Sequence, residues 1–580
     1  MQDGRGWRRI GIVALVSYHP AAADVHVAFT IPSGTPDRAD AVDVVEDAFA
    51  TTCDGVRLGA DVYLPRGLAP APAIVIRQPY GRRTAEMGFD VVGRFFAAKG
   101  YACLVQDVRG KFSSGGEFDP GVNEVEDGYD TVEWAASQDW CDGRVGLWGE
   151  SYYGFTSFAA AISGHPAIAC IAPGDIGLDR RAAWLRQGAF LLNTTGYWAM
   201  AMDAREYGDV SAVDPYHVPL VEMPATAGLE GRFFRTLVEH ADDAEWWDSR
   251  TLVRRLGDVR VPVLSWGGWY DNYIGPQLDD RQRLLATHPR PETVHLLVGP
   301  WDHEGSGEYT DRAVCQPLPP TAQHRWDTYQ AFFDRYLMGL ENGFGDAGPV
   351  EVFTLGANRW RREPSWPPPG VVETPLYLRA GGVASLEAPT TDESVDEFTY
   401  DPSHPVPETV GRNCWALCTA LDDRRRLDDR RDILRYVGEP LDADLELAGP
   451  LVAELHAATS AVDTDFTVTL CDVFADGTVN TIQDGIVRAR YRDGLDDPAL
   501  LEPGRVYRYV ITLCATSYLV RRGHRLRVDV SSSNFDRYDR NPNTGEPLGT
   551  SARMVVAKQA IHHAPGRASH VVLPVIARDH

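Results

Sequence analysis

The stretch Val145-Gly-Leu-Trp-Gly-Glu-Ser-Tyr-Tyr-Gly-Phe155 decides how the fold of the chain is interpreted. A short apolar run leads into Ser151, which lies between Gly149 and Gly154, and residues compatible with a helix follow. A strand, a tight turn and a helix in this order are typical of a nucleophile elbow, because the strained turn lifts the serine hydroxyl clear of the sheet. The usual pattern is G-x-S-x-G, whereas here Tyr153 takes the second glycine position and the glycine comes one residue later.

The composition is that of an ordinary globular chain with room for several domains. A length of 580 residues predicts about three or four domains. The net charge of −26 disfavours nucleic acids and anionic membranes as partners, because phosphate groups bind clusters of Lys and Arg. Nine scattered cysteines, an odd number without metal-binding spacing, favour free thiols in a reducing compartment and predict no metal site.

The N-terminal residues resemble a signal peptide only weakly. An apolar run over residues 10–16 follows three arginines, but it is too short to span a bilayer and ends before His19 and Pro20. We therefore expect residues 1–42 to be an N-terminal extension that ends in a Pro- and Gly-containing linker. We expect a cytoplasmic protein, with secretion as the alternative.

From residue 43 onwards, short apolar runs alternate with helical stretches. This alternation predicts an α/β fold with a mostly parallel sheet covered by helices on both faces, over residues 43–177 and 257–345. Residues 178–256 interrupt the alternation with an aromatic, helical pattern, which predicts a helical cap above the carboxyl ends of the strands. The apolar runs are Ala73–Ile76, Tyr101–Gln106, Arg144–Trp148, Ile168–Ala172, Val261–Trp266 and Thr293–Val298.

The pattern changes after Gly343. Short alternating strands separated by turn residues follow, among them Val350–Leu355, Asp465–Leu470 and Leu526–Val530. Short, evenly spaced strands of this kind predict an all-β sandwich. We assign residues 346–580 to a C-terminal jelly-roll domain.

A serine nucleophile needs a base within hydrogen-bond reach and an acid that orients the base. On a sheet with a nucleophile elbow, the acid and then the histidine come from loops after later strands. Asp271 directly follows one predicted strand and His303 directly follows the next. Asp302 is the competing acid, but it adjoins the histidine in sequence and is therefore poorly placed to bond the imidazole. The sequence thus predicts Ser151, Asp271 and His303 as a catalytic set.

A negatively charged tetrahedral intermediate needs two hydrogen-bond donors. The backbone N–H of Tyr152, the residue after the serine, is one candidate. The second donor should come from the loop after an early strand, Arg77-Gln-Pro-Tyr-Gly81, in which the phenol of Tyr80 is the candidate. On physical grounds alone, packing of this ring beside Pro79 is equally consistent with the sequence. Neither a metal nor a cofactor is required for this chemistry.

The chain resembles the cocaine esterase / X-Pro dipeptidyl-peptidase family of α/β-hydrolase serine hydrolases over residues 44–576. The resemblance implies an α/β-hydrolase domain, a helical cap and a C-terminal jelly roll. It implies Ser151 as nucleophile, His303 as base and Asp271 as orienting acid. It also implies that the Tyr80 hydroxyl joins the Tyr152 amide in the oxyanion hole. The motifs that carry the resemblance are Arg77–Tyr80, Gln106–Gly110, Gly115–Phe118, Trp140–Gly143, Gly149–Gly154, Gly268–Asp271, Gly299–His303, Asp463–Phe466 and Asp484–Arg490.

The first hypothesis is hydrolysis of small-molecule esters or amides through an acyl-enzyme, by a monomer or homodimer. The alternatives within the family are an X-Pro dipeptidyl-peptidase and an α-amino acid ester hydrolase or β-lactam acylase, which need a carboxylate to hold the substrate ammonium. Alanines just before Trp184 occupy positions where similar enzymes carry acids, which favours neutral acyl esters, although Glu150 and Asp175 are possible replacements. The alternative of another class is a non-catalytic carbohydrate- or protein-binding protein.

Overall fold

A ten-stranded sheet forms the core of the N-terminal part of the computed structural model, which describes residues 31, 33–303, 310–311, 316–317, 321–408 and 423–577. Its strands are β1 (Val42–Thr51), β2 (Arg57–Pro65), β3 (Ala71–Gln78), β4 (Ala102–Asp107), β5 (Cys141–Glu150), β6 (Ile168–Gly174), β7 (Val263–Gly268), β8 (Val294–Gly299), β9 (Val350–Thr354) and β10 (Arg359–Glu363). They lie in the order β1-β2-β4-β3-β5-β6-β7-β8-β9-β10. The pairs from β4 to β9 along this order are parallel, and the pairs at the two ends are antiparallel.

Helices cover both faces of this sheet, as the alternating pattern predicts. Every residue of β3, β4, β7 and β8 is buried, which is typical of parallel strands between two helical layers. Helices α1 and α9 pack on one face, and α2, α3 and α8 pack on the other. The α-helices of the described chain are α1 (Phe89–Ala98), α2 (Glu124–Ala136), α3 (Ser151–Ile162), α4 (Arg180–Trp184), α5 (Tyr197–Ala201), α6 (Arg232–Glu239), α7 (Ala244–Asp248), α8 (Ile274–Thr287) and α9 (Thr321–Tyr336).

The segment between β6 and β7 forms the cap and contains α4 to α7. Short helices of other types and a two-stranded hairpin (Leu185–Arg186 with Ala189–Phe190) complete it. Lys111, in the loop after β4, is buried and donates hydrogen bonds to the backbone carbonyls of Met202 (3.2 Å) and Ala204 (2.5 Å). Burial lowers the pKa of the Lys111 ammonium to about 8. These bonds hold the cap against the sheet domain.

The C-terminal domain is all-β, as predicted. Its sheet has the order β13-β20-β15-β21-β11-β12-β14-β19-β16-β17, with β18 paired to β15. Strand β17 also contacts β18, so the sheet curls around a hydrophobic core. The strands are β11 (Val371–Arg379), β12 (Val383–Ser385), β13 (Asp396–Tyr400), β14 (Leu434–Val437), β15 (Leu445–Thr459), β16 (Asp465–Val473), β17 (Val479–Arg488), β18 (Tyr507–Val520), β19 (Arg525–Ser531), β20 (Ala557–Ile561) and β21 (His570–Ile576).

Two strands that follow the predicted domain boundary at residue 346 join the first sheet. Strand β9 was expected in the jelly roll, but it pairs in parallel with β8, and β10 pairs with β9. A further strand satisfies the backbone groups that β8 would otherwise leave open at the sheet edge. The first strand of the second sheet is β11, which begins at Val371.

The end of the predicted N-terminal extension is anchored to the sheet domain. The hydroxyl of Ser33 and the backbone N–H of Gly34 each donate to Asp327 of α9 at 2.9 Å, and Arg38 pairs with Asp334 of the same helix at 2.6 Å. Residues 1–30 and 32 of that extension lie outside the described residues. Among the helices that are described, none is long and apolar enough to cross a membrane.

Candidate active site

Ser151 lies at the sharp turn between β5 and α3. Its backbone φ is +53°, a left-handed conformation that is strained for a residue with a side chain. Two glycines make the turn possible: a Cβ on Gly149 would lie 2.2 Å from the carbonyl oxygen of Tyr153, and a Cβ on Gly154 would lie 2.8 Å from that of Gly174 on β6. The displaced glycine of the sequence motif is therefore required where the helix contacts the neighbouring strand.

The structure brings the three predicted residues Ser151, His303 and Asp271 together. They follow β5, β8 and β7, whose carboxyl ends meet at one edge of the sheet, and all three side chains are buried. The Oγ of Ser151 lies 2.9 Å from Nε2 of His303. The Nδ1 of His303 forms a hydrogen bond with Oδ2 of Asp271. The hydroxyl, the imidazole and the carboxylate are thus connected in series.

The surroundings of His303 favour its protonated form. Burial by itself lowers the pKa of the imidazole, but the charge and hydrogen bond of Asp271 raise it, and Glu150 and Asp302 raise it further. The net pKa lies above the ordinary histidine value. Asp302, the competing acid of the sequence analysis, acts on this pKa as a neighbouring charge, whereas Asp271 holds Nδ1. An imidazole in this setting accepts a proton readily.

The two predicted oxyanion donors lie beside the serine. The N–H of Tyr152 belongs to the first turn of α3, where backbone donors have no partner within the helix. The ring of Tyr80 is buried and stacks on Tyr207 of the cap, with ring centroids 5.8 Å apart. Its hydroxyl lies within reach of Ser151 and Trp198 but forms no well-aligned hydrogen bond within the described part of the chain. Burial raises the pKa of this phenol, so it remains a donor.

A small pocket, partly open to solvent, lies between the elbow and the cap. The pocket is largely aromatic, and the cap residue Arg180 supplies a cation. The sequence does not reveal Arg180, Thr195 or Tyr273 as pocket residues, because a local pattern does not show which side chain faces the cavity. The walls consist of Tyr80, Ser151, Tyr152, Ile176, Arg180, Trp184, Thr195, Trp198 and Tyr273.

Two acidic residues considered as ammonium ligands lie elsewhere. Asp175 accepts a hydrogen bond from the backbone N–H of Gly268 at 3.2 Å, and burial raises the pKa of its carboxyl group well above the ordinary value. Burial also raises the pKa of Glu150 to about 7, although Arg325 and His303 partly offset the effect. Among the described residues, the pocket wall contains neither of them.

Comparison with known proteins identifies the family of the chain. The model of X-Pro dipeptidyl-peptidase (S15 family) matches residues 54–305, and that of the X-Pro dipeptidyl-peptidase C-terminal non-catalytic domain matches residues 342–572. Cocaine esterase of Rhodococcus sp. (strain MB1 Bresler) is 37% identical, and the match covers 90% of this chain and 97% of that protein. Two solved structures are similar over 96% of this chain and 100% of their own length. One is an aminopeptidase from a marine sediment archaeon (Thaumarchaeota archaeon), with a TM-score of 0.83 and 26% identity. The other is an α-amino acid ester hydrolase, with a TM-score of 0.81 and 27% identity. The chain belongs to the cocaine esterase / X-Pro dipeptidyl-peptidase family of α/β-hydrolase serine hydrolases.

Proposed function

We propose that this serine hydrolase cleaves esters through an acyl-enzyme intermediate formed on Ser151. One observation carries the proposal: Ser151 Oγ lies 2.9 Å from Nε2 of His303, whose Nδ1 is bonded to Asp271. A nucleophile, a base and an orienting acid within hydrogen-bond reach are the arrangement that activates a serine hydroxyl. A non-catalytic binding protein has no need of such a series.

The reaction follows from this arrangement in two halves. Nε2 of His303 takes the proton of the Ser151 hydroxyl while Oγ attacks the ester carbonyl carbon, and Asp271 stabilises the imidazolium. The bond to the alcohol oxygen then breaks, and the imidazolium gives its proton to the leaving alcohol. In the second half, water gives a proton to His303 and attacks the acyl carbon. The Ser151–acyl bond breaks, the proton returns to Oγ and the carboxylic acid leaves.

The negative charge of each tetrahedral intermediate requires donors that are already in place. The N–H of Tyr152 and the hydroxyl of Tyr80 lie beside Ser151, and no well-aligned hydrogen bond within the described chain occupies the hydroxyl. Donors with fixed positions stabilise the transition state without a reorganisation at the moment of reaction. We therefore assign these two groups to the oxyanion hole.

The second candidate is cleavage of a substrate with a free α-ammonium group, as the names of the two structural relatives suggest. The charge of the pocket disfavours this function. Arg180 contributes a positive charge to its wall, and none of its described wall residues is acidic. An ammonium group would meet repulsion there instead of a counter-ion. We therefore rank ester hydrolysis above dipeptidyl-peptidase activity.

The test compares 4-nitrophenyl butyrate with an Ala-Pro 4-nitroanilide and follows fluorophosphonate labelling of Ser151 by mass spectrometry. We expect labelling, faster turnover of the ester and a loss of roughly 10⁶-fold in kcat for Ser151→Ala, with an unchanged circular dichroism spectrum. Faster turnover of the anilide would favour the peptidase. Absence of labelling, together with equal rates for the variant and the wild type, would contradict the acyl-enzyme mechanism.

A further inference from the structure

The hydroxyl of Tyr152 is hydrogen-bonded on both sides, unlike that of Tyr80. It donates to Oε1 of Glu124 at 2.8 Å and accepts from the backbone N–H of Gly121 at 3.0 Å. A phenol has a single proton to donate, so this donor is already engaged by Glu124. A substrate in the pocket therefore meets the ring of Tyr152 but no free donor on it, and the reaction described above does not use this hydroxyl.

Glu124 is itself held in place by an ion pair. It is the first residue of α2, and its Oε2 lies 3.0 Å from Nη2 of Arg77 on β3, with both side chains buried. Nη1 of Arg77 donates to the backbone carbonyl of Glu124 at 3.0 Å, and its Nε donates to Oε1 of Gln106 on β4 at 3.1 Å. Buried charges that are paired and further hydrogen-bonded have well-defined positions. The acceptor of the Tyr152 hydroxyl is thus fixed to two strands of the sheet.

The strain at Ser151 connects this anchor to the proposed oxyanion hole. The N–H of Tyr152 belongs to the peptide group that follows Ser151, whose φ of +53° is strained. A strained backbone conformation persists only where its surroundings hold it. Relaxation of the backbone at these two residues would turn the N–H away from the carbonyl oxygen of the substrate. Because the phenol of Tyr152 is joined to the backbone through only two torsion angles, fixing its hydroxyl limits that movement.

We propose that Glu124 is a positioning residue of the oxyanion hole: its carboxylate holds the Tyr152 hydroxyl and so keeps the backbone N–H of Tyr152 directed at the oxyanion. The inference rests on the ester hydrolysis proposed above and adds to it a residue that is not among the described residues of the pocket wall. The oxyanion develops only as the transition state forms. The loss of this anchor should therefore lower kcat and leave KM nearly unchanged.

Tyr152→Phe is the main test, since it keeps the ring and removes only the hydroxyl that bonds Glu124. We expect kcat for 4-nitrophenyl butyrate to decrease by about 10- to 100-fold, which is less than the complete loss of an oxyanion donor costs. KM should stay within about twofold of the wild-type value. An unchanged kcat would overturn the inference. So would a higher KM with unchanged kcat, because it would assign the hydroxyl to binding of the ground state.

Tyr101→Phe is the matched control. The hydroxyl of Tyr101 donates to Asp334, which pairs with Arg38 at 2.6 Å. Tyrosine, carboxylate and arginine thus repeat the arrangement found at Glu124. Tyr101 directly precedes β4, at the edge of the sheet opposite to the catalytic loops. Each variant removes one donor from a buried carboxylate, so we expect similar decreases in Tm but an unchanged kcat for Tyr101→Phe. Equal losses of kcat in the two variants would indicate general loosening and would contradict a positioning role.

A double variant tests whether Glu124 acts through Tyr152. The two carboxylate oxygens serve Arg77 and Tyr152 separately, whereas a glutamine has one oxygen for both. We therefore expect Glu124→Gln to lower kcat. In the Tyr152→Phe background the same substitution should lower kcat by less than about twofold, because the hydroxyl through which it acts is gone. A wild-type kcat for Glu124→Gln, or losses that multiply in the double variant, would remove Glu124 from this role.

The outcomes separate this inference from the proposed function. If 4-nitrophenyl butyrate is hydrolysed in a Ser151-dependent way but Tyr152→Phe keeps its kcat, the positioning role is wrong and the esterase stands. If no ester is hydrolysed, the rate of fluorophosphonate labelling decides. In that reaction Oγ of Ser151 displaces fluoride from phosphorus, and the phosphoryl oxygen takes the place of the oxyanion. Labelling that is about tenfold slower in Tyr152→Phe than in Tyr101→Phe supports the role of Glu124, and equal rates overturn it.

Discussion

The proposed catalytic corner and the proposed substrate pocket lie side by side, but the polar groups of the first are paired with one another, whereas the second contains an unpaired donor. In the corner, Ser151, His303 and Asp271 are bonded to one another. In the pocket, the hydroxyl of Tyr80 is buried and forms no well-aligned hydrogen bond within the described chain. Groups that exchange protons with each other are aligned before the substrate arrives. Groups that act on the substrate keep their donors open for it.

This difference has an energetic meaning. A buried donor without a partner costs about 1–3 kcal/mol of stability. Such groups persist at sites where function requires them, because selection acts on activity as well as on stability. Variants that remove a group from the corner leave its partner without a hydrogen bond and should decrease the rate most, whereas variants that remove an unpaired donor from the pocket should keep or raise Tm.

The largest effect within this comparison is expected for Asp271→Asn. The amide would bond Nδ1 of His303 in the wrong tautomer, and kcat should decrease by about 10⁴-fold. The matched control is Asp302→Asn, which removes a charge next to the same imidazole without removing the Nδ1 contact. The control should change kcat by at most about tenfold, as a shift of one pKa unit implies.

Steady-state kinetics with 4-nitrophenyl butyrate would check this pair of variants, and thermal melts would show that both fold. Similar losses for the two variants would contradict the assignment of Asp271 as the orienting acid. A larger loss for Asp302→Asn would exchange the roles of the two residues.

The catalytic corner could be predicted from the sequence because each of its members directly follows a buried strand. Apolar runs mark those strands, and parallel strands bring their carboxyl ends to one edge, so Ser151, Asp271 and His303 were placed without a structure. The affiliation of β9 could not be predicted in this way. Alternating apolar residues indicate a half-buried strand, but they do not indicate which of two sheets has an open edge for it.

The substrate pocket was less predictable for a similar reason. Arg180 and Arg181 are adjacent on a five-residue helix. Only Arg181 forms an ion pair with Asp496, which is distant in sequence. Local pattern cannot show which of two adjacent arginines pairs with a distant carboxylate. The role of Tyr80 was likewise undecided from its loop alone, and the resemblance to the family favoured the oxyanion hole.

The next effect in size is expected for Tyr80→Phe. The ring and its stacking on Tyr207 remain, so the variant removes only the hydroxyl, and kcat should decrease by about 10²–10³-fold. Because this hydroxyl has no well-aligned hydrogen bond in the described chain, Tm should be unchanged or higher. Tyr207→Phe is the matched control and should retain kcat. An unchanged rate for Tyr80→Phe would remove this residue from the oxyanion hole.

The smallest effect concerns the pH dependence of kcat/KM, which reports on the free enzyme. His303 must be neutral to accept the serine proton, so activity is lost as the pH falls through the pKa of its imidazole. Since that pKa is raised above the ordinary value near 6.5, the acidic limb of the wild type should have its midpoint above pH 6.5. Asp302→Asn removes one of the charges that raise it, so its midpoint should be lower, by less than about one unit. A wild-type midpoint below pH 6.5, or a midpoint that moves to higher pH in the variant, would contradict this expectation. Either result would mean that burial outweighs the surrounding carboxylates and that the corner does not favour the imidazolium.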